Sequence, residues 1–262
     1  MGNSLLLQLR EIDPEDHQPF IPPAFAVKLD ESHPRANRFY PKGHNFWWLE
    51  VGGEMDTIND SDTIRDELYA IAFGVWDFIK NHPDGRGHAW ELEWIGALPG
   101  KRENVRYLGD HTLRQQDIES RGQFDDIVAY GGWTMDDHPP AAFHHDGMPT
   151  EHHEAPSPYG IPFRCLYSSH ISNLLFAGRN ISATHMALSS TRVMATCAML
   201  GQAVGTAAAM SVQQSLTPRE IGAQCITELQ NRLLDADQWL PGHLRSQPDA
   251  MGQAEVSGRE IE

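Results

Sequence analysis

Cysteine is scarce in this 262-residue chain: there are three, Cys165, Cys197 and Cys225, far apart and odd in number. Such a set offers neither a disulfide framework nor a Cys-x-x-Cys zinc or redox site, and a reducing compartment is the default expectation. Cations are also in deficit. Twenty Lys plus Arg against 36 Asp plus Glu leave a formal charge of −16, which repels nucleic-acid phosphates and anionic membrane surfaces. No nucleic-acid or membrane partner is expected, and a small-molecule substrate is. Met1–Arg10 lacks a basic leader and a long apolar run, so no secretion signal is visible there and the expected compartment is cytoplasmic, unless a signal lies in a segment preceding Met1. Long hydrophobic runs are nearly absent too. The stretch Thr191–Met210 has the length of a membrane span but contains Arg192, Gln202 and three threonines, which fits a buried helix of a soluble protein better.

What is present is an ordinary globular balance, 40% apolar and 21% charged, with local patterns of both kinds. Phe46–Val51 is rich in strand-forming residues before Gly52-Gly53 and predicts a strand. Ile64, Leu68, Ile71, Val75 and Ile79 recur at helical spacing, and that helix should end at Asn81-His82-Pro83. Trp90–Trp94 alternates apolar and acidic residues as a half-buried strand does. From Asp136 to Tyr159 there are five prolines and five histidines with no apolar period, which predicts a long surface loop. Asn173–Gly178 reads as a short buried strand, Ser189-Ser190 as caps for a helix over about Thr191–Met210, and Pro218–Asp237 as a polar helix. Cys197, Gly201, Gly205 and Ala209 form a ridge of small residues on the middle one, where another backbone can approach closely.

The sharpest segment runs from Asn173 to Ala209: strand, glycine turn, polar loop, helix start. A helix start offers unpaired N–H groups and a positive dipole end, suited to a phosphate, a carboxylate or the carbonyl edge of a flavin. Strand-glycine-helix units alone are common to many α/β proteins. The wording here is more specific. Ala177-Gly-Arg-Asn-Ile-Ser182, Ser190-Thr-Arg-Val-Met194 and Gly201-Gln-Ala-Val-Gly-Thr-Ala-Ala208 together resemble the C-terminal flavin-binding signature of FAD-dependent oxidoreductases of the xanthan-lyase-like kind. Leu98-Pro-Gly-Lys-Arg-Glu103 and Tyr130-Gly-Gly-Trp133 with Asp136 and His138 also resemble that family, so the likeness extends from Met1 to about Met210.

The resemblance implies a mixed α/β fold: an α+β substrate lobe over 1–165, the C-terminal strand-helix part of a Rossmann-like FAD-binding domain over 166–212, a C-terminal helix over 213–240 and a disordered tail over 241–262. It implies FAD as cofactor and hydride transfer from a small organic, carbohydrate-like substrate. Ala177, Gly178, Arg179, Asn180, Ser190, Thr191, Val193 and Met194 are the implied cofactor contacts. One departure is large: no Gly-x-Gly-x-x-Gly occurs in the chain, although a dinucleotide fold normally opens with one. The chain therefore reads as the C-terminal part of an enzyme, the Gly-rich motif belonging to a missing segment or a separate N-terminal polypeptide. A remnant or binding module unable to hold FAD alone is the second reading.

His185 and Arg192 flank the loop expected between flavin-contacting strand and helix. A histidine exchanges a proton near neutrality and an arginine holds a developing oxyanion, so these two are the candidate catalytic residues; a packed neutral histidine and a carboxylate-paired arginine are the alternatives. Arg102 and Arg106 either clamp an anionic substrate or pair with acidic neighbours such as Glu103 and Asp110. Trp133 and His138 complete the substrate candidates. The trios His144-His145-Asp146 and His152-His153-Glu154 carry metal-ligand chemistry, and a metal-dependent hydrolase is the third reading. Their proline-rich surroundings favour a solvated loop instead, and no metal site is expected.

Overall fold

The computed structural model describes residues 1–42 and 46–245. Within them the chain forms two units, residues 1–104 with 137–151, and residues 105–136 with 152 onward. Helices and small sheets occur in both, so the fold is mixed α/β as expected. These boundaries do not coincide with the division expected at residue 165, and most of the tail expected to be disordered, 246–262, lies outside the described residues.

In the first unit, β1 (Asn3–Ser4) pairs antiparallel with both β3 (Glu50–Val51) and β5 (Gly100–Lys101). β2 (Leu7–Glu11) pairs antiparallel with β4 (Trp90–Ile95), from Leu7 opposite Ile95 to Glu11 opposite Trp90. The alternation of Trp90–Trp94 is thus used as anticipated. Helix α1 (Ser61–Lys80) buries the predicted stripe Ile64, Leu68, Ile71, Val75 and Ile79 and stops at Asn81. The expected strand over Phe46–Val51 shrinks to its last two residues. A turn closed by the Leu49 N–H donating to the Phe46 carbonyl, 3.0 Å, tucks Trp48 into the core, stacked 5.5 Å from Phe39, and burying that indole outweighs extending the strand.

Gly74 is the one glycine inside α1. A Cβ there would sit 2.1 Å from the Val27 carbonyl oxygen, on a loop fastened to the helix by the Val27 N–H donating to the Ala70 carbonyl, 3.0 Å. Helix propensity alone favours Gly→Ala by about 1 kcal/mol. Overpacking against backbone reverses the sign, and Gly74→Ala is expected to destabilise by roughly 1–3 kcal/mol. A higher urea midpoint for this variant would contradict that contact.

The second unit begins with α2 (Gln115–Glu119) and β6 (Ile127–Gly131). β7 (Met135–Asp137) and β8 (Glu151–His153) pair where the chain leaves this unit and returns. β9 (Tyr159–Pro162) pairs antiparallel with β6. Four helices follow: α3 (His185–Thr191), α4 (Met194–Gln214), α5 (Pro218–Gln224) and α6 (Ile226–Asp235). α4 packs on β6, α5 and α6 through Leu200, Ala203, Ala207 and Met210, all fully buried.

Several local expectations change here. Asn173–Gly178 is no strand: it makes one isolated antiparallel bridge, Leu175 to Tyr167, flanked by the Ser168 N–H donating to the Leu174 carbonyl and the Phe176 N–H to the Leu166 carbonyl, while the Leu174 N–H turns back to the Ile171 carbonyl. Leu113 and Ala183 form an isolated parallel bridge. The helix expected from Thr191 starts at Met194, and Ser189 and Ser190 lie inside α3 instead of capping α4. The helix expected over Pro218–Asp237 is broken at Cys225 (φ −128°, ψ 16°). α4 is long and apolar enough to cross a membrane by length and composition, but it is half-buried, not buried. Gly201, Gly205 and Ala209 face solvent, and Cβ atoms at the two glycines would meet nothing within 4 Å.

Candidate flavin and substrate site in the second unit

Gly178 sets the course of the chain after Phe176. Its φ of +100° is one that side chains disfavour, while an added Cβ would meet only Asn180 Oδ1 at 3.4 Å; glycine is required for conformation, not for space. The loop Gly178-Arg179-Asn180 is anchored by the Tyr107 N–H donating to the Asn180 carbonyl, 2.9 Å, with the Tyr107 and Phe176 rings stacked at 5.1 Å. Arg106 is thereby placed one residue from this anchor. Farther on, the Leu113 N–H donates to the Ser182 carbonyl, 2.9 Å.

Thr184 caps α3, its hydroxyl accepting from the Ala187 N–H at 3.4 Å. The stretch between His185 and Arg192 is therefore helix where a loop was expected. His185 opens α3 and Arg192 closes it, which separates them by about 10 Å along the axis at 1.5 Å per residue. The structure does not bring these two residues together.

Val193 then adopts φ −69° and ψ 147°, ending one helix and starting the next, and makes no side-chain cap to α4. A valine has no acceptor to offer, so the N-cap side chain satisfies none of the first N–H groups of this 21-residue helix. Met194 is 89% exposed and Ala195 is exposed. Just beneath, Thr191 is fully buried with its hydroxyl lacking a hydrogen-bond partner. Burial pushes the Cys197 thiol up, and the Arg179 charge opposes that rise. Ala177, Gly178, Arg179, Asn180, Thr191, Val193 and Met194 all belong to the second unit.

Ser190 has a different surrounding. Its Oγ donates to the Trp133 carbonyl, 2.5 Å, and shares a 2.5 Å hydrogen bond with the Tyr159 hydroxyl. With its only proton committed to the carbonyl, Ser190 must accept from Tyr159. Burial pushes the Tyr159 phenol up to about 12, so it remains a donor at neutral pH. Trp133 in turn donates its indole N–H to Asp136 Oδ2 at 2.7 Å.

The remaining candidates lie in the first unit. Arg102 pairs with Glu50 and donates to the Trp47 carbonyl, 2.7 Å; it borders, with Lys101, an open cleft of about 700 Å³ walled by Phe46, Trp47 and Trp90. His138 Nδ1 lies 2.6 Å from the same Glu50 carboxylate. The acidic partner of Arg102 is thus Glu50; Glu103 pairs with the Met1 amino group, and Asp110 is gripped bidentately by Arg219 and bonded by Tyr167. The two histidine trios go to separate carboxylates, His144 to Glu67 and His152 to Asp136. Among the described residues no three His, Cys, Asp or Glu side chains converge as metal ligands.

Sequence reasoning missed Glu50, Tyr159 and the pairing of Asp136 with His152. An acidic residue inside the aromatic run Phe46–Val51 was a usable signal for the first; the other two depend on long-range pairing that no local pattern displays. No curated protein and no solved structure matches the chain. The sequence profile of the family described as FAD dependent oxidoreductase matches residues 13–233, which takes in both units and the whole loop-and-helix site, and the chain belongs to that family.

Proposed function

We propose that this chain supplies the flavin-facing end of an FAD site and the residues that handle a small organic, carbohydrate-like substrate, and that the adenosine and pyrophosphate are held by a Gly-rich segment or polypeptide outside these 262 residues. The observation that carries the reading is the open start of α4, exposed at Met194 and Ala195, in the same unit as the Gly178 loop. The residues fit a flavin: N–H donors that no N-cap side chain covers, at a positive helix end, suit its carbonyl edge, and the buried hydroxyl of Thr191, three residues before Met194, has no hydrogen-bond partner. Bound FAD would accept a hydride from the substrate. Met194 and Ala195 would donate backbone N–H groups, with Gly178, Arg179 and Asn180 alongside the ribityl portion. Arg192, adjacent to Val193, would hold charge developing on the substrate oxygen. His185, at the far end of α3, is less well placed for the same atom.

Met194→Pro tests this reading without disturbing the fold. Proline is favoured at the first helical position, and the extended Val193 is already the conformation that precedes proline. The change removes one N–H donor, worth roughly 1.5 kcal/mol to a polarised acceptor, so the Kd for FAD in an equilibrium titration should rise about tenfold with the unfolding midpoint unchanged. Unchanged affinity would overturn the placement of the flavin at α4.

A further inference from the structure

Asp136 is surrounded by donors. Thr134 Oγ1 donates to its Oδ1 at 2.6 Å, Trp133 Nε1 to its Oδ2 at 2.7 Å, and His152 Nδ1 lies 2.6 Å from Oδ1. Burial works to raise this carboxyl, and the hydrogen bonds of Thr134, Trp133 and His152 outweigh it and hold it below the usual carboxylate range. An ionised carboxylate only accepts, so Nδ1 of His152 is the donor toward Asp136, which leaves Nε2 as the acceptor of the neutral imidazole, on the ring edge away from Asp136. The side chains held in this way are not buried. Trp133 is 53% exposed and the His152 side chain 59% exposed, whereas the Asp136 side chain is 13% exposed. One shielded carboxylate thus fixes an open imidazole and an open indole. The same loop is tied to the start of α4, because Ser190, which donates to the Trp133 carbonyl, lies three residues before Val193.

We propose that Trp133, Asp136 and His152 form the substrate subsite: the indole face stacks on the C–H face of a pyranose ring, and His152 Nε2 accepts the proton of the ring hydroxyl being oxidised. The inference rests on the flavin reading for its oxidant. The O–H bond breaks with its proton going to His152, the C–H bond breaks with its electron pair going to the flavin as hydride, and a C=O double bond forms. Asp136 is a positioning residue that keeps His152 in the tautomer able to act.

Binding and chemistry are tested separately. D-glucose, D-mannose and D-glucuronate are titrated against the full chain by tryptophan fluorescence. At least one should perturb the emission, Trp133→Phe should abolish that change, and His152→Gln should weaken binding about tenfold, the equivalent of one hydrogen bond. Asp136→Asn should move the imidazole of His152 toward the Nε2–H tautomer in ¹⁵N spectra. In the chain loaded with FAD by a Gly-rich family polypeptide supplied in trans, His152→Gln should slow flavin reduction by the bound sugar by about 10² or more. A response to none of the three sugars, or one that survives Trp133→Phe, overturns the subsite whatever the chain does with FAD. A wild-type reduction rate in His152→Gln overturns the proton-accepting role while leaving the flavin reading intact. Sugar binding by a chain that fails to take up FAD even when the Gly-rich polypeptide is supplied in trans would instead uphold the subsite and refute the flavin reading.

Discussion

Glu50→Ala should cost the first unit about 3–5 kcal/mol, the magnitude seen when one member of a buried ion pair is removed. The carboxylate is 2% exposed and satisfies three groups: the guanidinium of Arg102, the imidazole of His138 and the Gly2 N–H, which donates at 2.5 Å. Truncation strands the Arg102 charge in a region where water is scarce, and total stabilities of ~5–15 kcal/mol leave little margin. The readout is urea unfolding followed by emission of Trp48 and Trp76, both buried in this unit. Acid gives the claim a sign. Burial pushes Glu50 up, but hydrogen bonds and charges from His138, Arg102 and Gly2 win and leave it below its ordinary 4.5. A lowered folded value means that its contribution is fully present above the unfolded value and disappears as pH falls through the folded one. The gap between wild type and Glu50→Ala should therefore be widest at neutral pH and close on acidification. A gap that is constant with pH would show that the carboxylate's charge contributes nothing.

The same residue shows what the sequence displays and what it hides. The helical stripe of α1 and the alternation in β4 were legible because each is a local period set by one buried face. The Ala177–Ser182 and Ser190–Met194 wording was legible as a family signature, and its residues do fall in one unit. The turn at Phe46–Leu49 was not legible, since aromatic residues that favour strands also favour burial, and only the position of Phe39 decides between them. The split of the long helix was hidden for a related reason. Nothing in Ser189–Met194 forbids continuous helix, yet Tyr159 holds Ser190 against the Trp133 carbonyl, fixing α3 where the chain must turn to let α4 pack on β6. His152 was read as part of a solvated loop, and it is exposed as that reading implies; the Asp136 carboxylate that orients it comes from 16 residues earlier.

Purified with excess FAD and then desalted, the 262-residue chain should emerge without stoichiometric flavin. Tight binding of a dinucleotide draws on a glycine turn and helix start at the pyrophosphate and an acidic partner at the ribose, and no Gly-x-Gly-x-x-Gly stands in this sequence. Contacts at Met194, Ala195 and the Gly178 loop address the flavin end alone, and they must offset an association cost of roughly 4–15 kcal/mol. α4 carries the structural counterpart of that deficit. Gly201, Gly205 and Ala209 lie open on the face opposite Leu200, Ala203 and Ala207, in an arrangement that admits another backbone at close range. In the free chain, a Cβ at Gly201 or Gly205 meets nothing within 4 Å, and Gly201→Leu with Gly205→Leu replaces poor helix formers by good ones on an exposed face, so the unfolding midpoint should hold or rise. Supplied in trans with a family polypeptide bearing strand, Gly-x-Gly-x-x-Gly and helix, the wild-type chain should regain FAD through the desalting step, and the double leucine variant should not, because its added bulk blocks that approach. A yellow, fully flavinylated monomer obtained from the chain alone would show that α4 and the Gly178 loop suffice, and the division of the cofactor between two segments would be wrong.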